Sequence, residues 1–139
     1  MNQRRLVVSF FLLVVWVASN FASNLPSPED PPPERIHFAK GASSAIIKGI
    51  IKGYAYKDYV FGAKAGQHAK LKLTSTNTYA AFVIHRKAAD PDEERSIEST
   101  EWENTLTESG EFVIRVFMIR AGARRPGAVA NYSLKLEIH

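Results

Sequence analysis

The chain is 139 residues long, 45% hydrophobic and 23% charged, which allows one globular domain and leaves no room for a second. It contains no cysteine, so disulfides, a thiol nucleophile, a Cys-based zinc site and a lipidated cysteine are all excluded. Lys plus Arg number 18 against 14 Asp plus Glu, an excess too small to mark a nucleic-acid binder, which needs a basic face.

Arg4 and Arg5 precede an apolar run from Leu6 to Val17, interrupted only by Ser9. A basic start, an apolar middle and then small residues form the layout of a secretory signal. The run is shorter than the roughly 18 to 20 residues that span a bilayer, so cleavage is expected, after Ser19 first and after Ala22 second. Residues 1–19 are therefore read as a leader. The exported chain is expected to keep no stable membrane anchor.

Residues 20–35 read as a tether. Asn24 to Arg35 holds five of the seven prolines, each of which removes a backbone donor and biases its predecessor to extended geometry. A stiff segment of polyproline character is expected, with neither strand nor helix interior.

Residues 36–139 form the folded part, large enough to bury about two-thirds of its unfolded surface. Its periodicity is two. Ala69, Leu71 and Leu73 alternate with His68, Lys70 and Lys72; Tyr132, Leu134, Leu136 and Ile138 alternate with Ser133, Lys135 and Glu137. Phe112, Ile114, Val116 and Met118 make a third face, and Ala45 to Ile51, Tyr56 to Phe61 and Tyr79 to His85 supply further strands. Turn signals separate them at Lys52-Gly53, Ala65-Gly66-Gln67, Thr76-Asn77-Thr78, Ser109-Gly110 and Pro126-Gly127. No window carries a sustained helical stripe. Seven or eight short strands with one apolar face each predict an all-β fold, an antiparallel β-sandwich.

Charge is unevenly placed along this domain. Asp90 to Glu111 holds nine acids against Arg95 alone, while the rest of the mature chain has 15 bases and five acids. An acidic region on a basic body makes a dipolar surface.

Little in the sequence assembles catalytic chemistry. His37, His68, His85 and His139 lack the spacing that puts two ligands on one helical face, and Asp90 to Glu94 lacks the Gly and distal Glu of a calcium loop. Gly41-Ala42-Ser43-Ser44 is not a nucleophile elbow, and Glu101 with Glu103 reads as solvated carboxylates on a strand face. Neither an enzyme nor a cofactor or metal is expected. The segment Ile119 to Ala128 stands out instead, because it presents Arg120, Arg124 and Arg125 between Gly and Pro. Guanidinium is a planar fork of donors suited to carboxylate or phosphate, although a solvated loop accounts for the same residues. Tyr54, just after Lys52-Gly53, is either core or an exposed interface anchor.

Phe38-Ala39-Lys40-Gly41-Ala42-Ser43-Ser44, Ile50-Ile51-Lys52-Gly53-Tyr54-Ala55-Tyr56 and Ala63-Lys64-Ala65-Gly66-Gln67 together resemble the periplasmic inhibitors of goose-type (g-type) lysozyme. Glu108-Ser109-Gly110-Glu111-Phe112, the Arg120 to Arg124 loop and Asn131-Tyr132-Ser133-Leu134 continue the likeness, which runs from Phe38 to Ile138 and thins across Arg86 to Leu106. The resemblance implies a monomeric periplasmic inhibitor with g-type lysozyme as partner. By the same likeness Tyr54, Arg120 and Arg124 stand where that family contacts lysozyme, with Arg125 carried over more weakly. The Ala-Gly-Gln turn and the Ser-Gly strand also resemble pre-peptidase C-terminal-like sandwiches. A non-inhibitory secreted module binding carbohydrate or protein is therefore the alternative.

Overall fold

A computed structural model describes residues 31–89 and 97–139. The leader, the first part of the tether and the 90–96 part of the acidic region lie outside the described residues. The strands are β1 (Glu34–Arg35), β2 (Ser44–Lys52), β3 (Tyr56–Ala63), β4 (His68–Ser75), β5 (Ala80–Arg86), β6 (Glu101–Thr105), β7 (Gly110–Met118) and β8 (Val129–Ile138). One helical turn, α1 (Arg120–Ala123), lies between β7 and β8.

The strands form two four-stranded sheets, ordered β1-β3-β7-β5 and β2-β8-β4-β6. The alternation read from the sequence sets which side chains meet between them. Leu71, Leu73, Tyr132, Leu134 and Leu136 from the second sheet pack with Tyr59, Phe61, Phe82, Phe112, Ile114 and Val116 from the first. Phe61 and Phe112 stack with centroids 5.4 Å apart, opposite one another in the β3/β7 register.

Two details differ from the sequence reading. Glu34 and Arg35 do form a strand, pairing in parallel with Tyr59 and Val60, so the sandwich is not antiparallel throughout. These residues follow the last proline of the tether and have the N–H groups that the prolines lack, so they are free to join the ladder. The other detail is α1, an addition that leaves the absence of a sustained helical stripe intact. Four residues are too few to show a helical stripe, so periodicity could not reveal it.

The acids cited from β6 are solvated, as expected, and lie opposite cations in the β4/β6 register. Glu101 meets Lys72 at 3.0 Å, and Glu103 accepts from His68 at 2.7 Å with Lys70 at 3.6 Å. The His68 hydrogen bond, followed by the Lys70 charge, lowers the Glu103 carboxyl below the ordinary carboxylate range.

Candidate functional site

Three connections cross between the sheets at one end of the sandwich. The turn Lys52–Ala55 joins β2 to β3, Thr76–Tyr79 joins β4 to β5, and Ile119–Ala128 joins β7 to β8. Backbone hydrogen bonds tie them together: Gly53 N–H donates to the Ala128 carbonyl (2.9 Å), and Ile119 N–H to the Tyr79 carbonyl (2.9 Å).

Tyr54 sits in the tight turn closed by Ala55 N–H donating to the Lys52 carbonyl (3.0 Å). Gly53 takes φ +53°, which a side chain resists, and a Cβ there would lie 3.8 Å from the Ala123 carbonyl oxygen. The glycine thus lets the turn bend against the Arg-bearing loop. It leaves the Tyr54 side chain pointing outward, 66% exposed. Of the two roles open for this tyrosine, core is excluded.

The loop builds its helical turn from Ile119, which is extended and opens α1 without a side-chain cap. Ala123 N–H donates to the Ile119 carbonyl (3.0 Å) and Arg124 N–H to that of Arg120 (3.2 Å). Pro126 cannot continue the ladder, and Gly127 at φ +68° turns the chain toward β8. Arg120 and Arg124 are consequently one helical turn apart, on the same face and both exposed. Neither guanidinium has an ion-pair or hydrogen-bond partner among the described residues.

Seven of the described carboxylates are already engaged. Asp58, Glu34, Glu101, Glu103, Glu108, Glu111 and Glu137 each pair with a cation on the flanks of the sandwich. The Asp58 pairing is the most enclosed: its carboxylate takes two 2.8 Å hydrogen bonds from Arg115, whose guanidinium lies 3.9 Å over the Tyr56 ring. Two like-charged guanidinium groups without a carboxylate are mildly unfavourable in the free chain. They stand on the loop against which the turn of the exposed Tyr54 packs, and two free cations and an aromatic can together take an anionic, partly apolar partner.

Arg125 is placed differently. Its guanidinium lies 4.6 Å over the Tyr79 ring and its Nη2 donates to the Tyr79 hydroxyl (2.6 Å). Sequence reasoning placed it on the same loop as the other two arginines, as a weaker candidate contact, and missed Tyr79 and Asn77, which hold the loop from the neighbouring crossing. Asn77 was visible as a turn residue, and its Oδ1 does accept the Tyr79 N–H (2.9 Å). Its contact with Val129, 52 positions away, has no local signal.

Over most of its length the chain is similar to known lysozyme inhibitors. An inhibitor of g-type lysozyme from Escherichia coli strain K12 is 33% identical over 107 residues, spanning 74% of this chain and 78% of the relative. The crystal structure of Aeromonas hydrophila PliG, a periplasmic inhibitor of g-type lysozyme, matches with a TM-score of 0.69 at 34% identity, covering 77% of this chain and 96% of that one. The crystal structure of Salmonella Typhimurium PliG, also a periplasmic inhibitor of g-type lysozyme, matches with a TM-score of 0.60 at 29% identity, covering 76% of this chain and 96% of that one. No protein-family profile matches the sequence.

Proposed function

The chain belongs to the family of g-type lysozyme inhibitors, and from that premise we propose that it is exported to the periplasm and there blocks a g-type lysozyme by filling its substrate cleft. The observation that carries this reading is the pair of unpartnered arginines, one helical turn apart, on the loop against which the turn of the exposed Tyr54 packs. A lysozyme cleft must hold a carboxyl group that protonates the glycosidic oxygen, which makes the cleft acidic where the sugar binds. Arg120 and Arg124 supply charge-assisted hydrogen bonds to cleft carboxylates, and Tyr54 supplies rigid apolar contact at small entropic cost. The chain acts as a monomer and needs neither catalysis, cofactor, nucleic acid nor membrane anchor, because occupying the cleft excludes the sugar.

Truncating one arginine strands a desolvated carboxylate on the lysozyme. Arg120→Ala and Arg124→Ala should each weaken binding by about 2 to 5 kcal/mol, roughly 30-fold or more, mainly through faster dissociation. Surface-plasmon-resonance kinetics on the immobilised enzyme measures this directly. Unchanged dissociation in both variants would remove the arginine mechanism.

A further inference from the structure

We infer that Asn77, Tyr79 and Arg125 are positioning residues that fix the shape of the Arg120–Arg124 turn before any partner arrives, and that Arg125 acts through Tyr79 rather than by touching lysozyme. This rests on the inhibitor reading given above for its functional consequence, though not for its geometry.

The loop is held at four places by one short segment. Where the chain enters, Ile119 N–H donates to the Tyr79 carbonyl (2.9 Å) and Asn77 Nδ2 lies 3.5 Å from Met118 Sδ. Where it leaves, the same Nδ2 donates to the Val129 carbonyl (3.2 Å). At mid-turn, buried Gly122 rests on Tyr79, so closely that a Cβ on the glycine would fall 2.3 Å from the Tyr79 Cβ. Past the turn, the Arg125 guanidinium covers the exposed face of the ring and donates to its hydroxyl. The Asn77 side chain completes the clamp by accepting the Tyr79 N–H.

A four-residue helix has too few internal hydrogen bonds to persist on its own. The Tyr79 ring, gripped between Gly122 and Arg125, supplies what the turn lacks. Order established in the free chain is order that binding need not impose, so the latch raises affinity without entering the interface. It also explains why three arginines in six residues do not act alike. Two are free to pair, and the third is spent on the ring.

The test compares Arg125→Ala, Arg125→Lys and Tyr79→Phe in the full mature chain by two readouts. Amide hydrogen exchange of Ala123, Arg124 and Arg125 in the free protein reports the turn; binding kinetics with g-type lysozyme report the consequence. Arg125→Ala removes one hydrogen bond and one cation–π contact, so exchange at these amides should rise roughly 5- to 30-fold with the core strands unchanged. Binding should weaken by a similar factor. Tyr79→Phe keeps the ring and should show a smaller effect, roughly 2- to 10-fold, and Arg125→Lys should recover part of the loss. The Tyr79→Phe and Arg125→Ala effects should not add, because they remove the same hydrogen bond. Weakened binding with unchanged exchange would make Arg125 a direct contact and overturn the inference. Faster exchange with unchanged binding would overturn it as well. A wild-type chain that fails to bind g-type lysozyme would defeat the functional reading, while the exchange data still judge the latch.

Discussion

Tyr59 of β3 and Tyr132 of β8 meet across the two sheets, hydroxyl to hydroxyl at 2.5 Å, and are 2% and 5% exposed. Gly49, opposite Tyr132 in the β2/β8 register, leaves room for this ring, since a Cβ there would lie 2.3 Å from the Tyr132 hydroxyl. Replacing either tyrosine by Phe strands the other hydroxyl in the core, at a cost of about 1 to 3 kcal/mol. Replacing both substitutes apolar rings of the same shape, and the Tyr59→Phe/Tyr132→Phe protein should recover to within about 1 kcal/mol of wild type. Urea unfolding of the four proteins measures the cycle. In thermal unfolding each kcal/mol should appear as roughly 4 to 8 °C in Tm for a domain of this size. The same pair sets an alkaline limit. Burial, and then the shared hydrogen bond, raise the Tyr59 phenol above its ordinary value; burial raises Tyr132, with the Tyr59 hydrogen bond opposing. Both groups favour the protonated form in the folded state, so their contribution is complete below pH 10, the unfolded value, and is lost as pH rises above it. The double Phe variant should lack this alkaline loss. A double variant as unstable as the sum of the singles, with an unchanged alkaline slope, would refute the reasoning.

Gly53→Ala forces a side chain into φ +53° and should cost about 1 to 2 kcal/mol in urea unfolding. It should also weaken lysozyme inhibition by displacing Tyr54, and a variant with wild-type stability and inhibition would deny the turn its role. His68→Ala should raise the Glu103 carboxyl toward its ordinary value, because the His68 hydrogen bond is the largest influence lowering it. An NMR titration of the Glu103 side chain that does not move would contradict that assignment.

The strands were legible because each has a buried and a solvated face. Leu71 and Leu73 announce β4 through alternation, and the glycine breaks at Lys52-Gly53, Ala65-Gly66 and Pro126-Gly127 mark turns that the structure closes with positive φ. The parallel pairing of Glu34 and Arg35 was hidden by the prolines before them, whose missing donors argued against any strand. At the candidate site, the exposure of Tyr54 depends on the turn that Gly53 closes, and the shared face of Arg120 and Arg124 on a single helical turn, too short to leave a period. The tie between Arg125 and Tyr79 joins residues 46 positions apart and belongs to packing between crossings, which local sequence does not encode.

The most direct test of the central claim is a titration of the purified mature protein against peptidoglycan lysis, with goose-type, chicken-type and invertebrate-type lysozymes in parallel. The account predicts stoichiometric inhibition confined to the goose-type enzyme. Undiminished lysis by the goose-type enzyme at molar excess of the folded protein would contradict it.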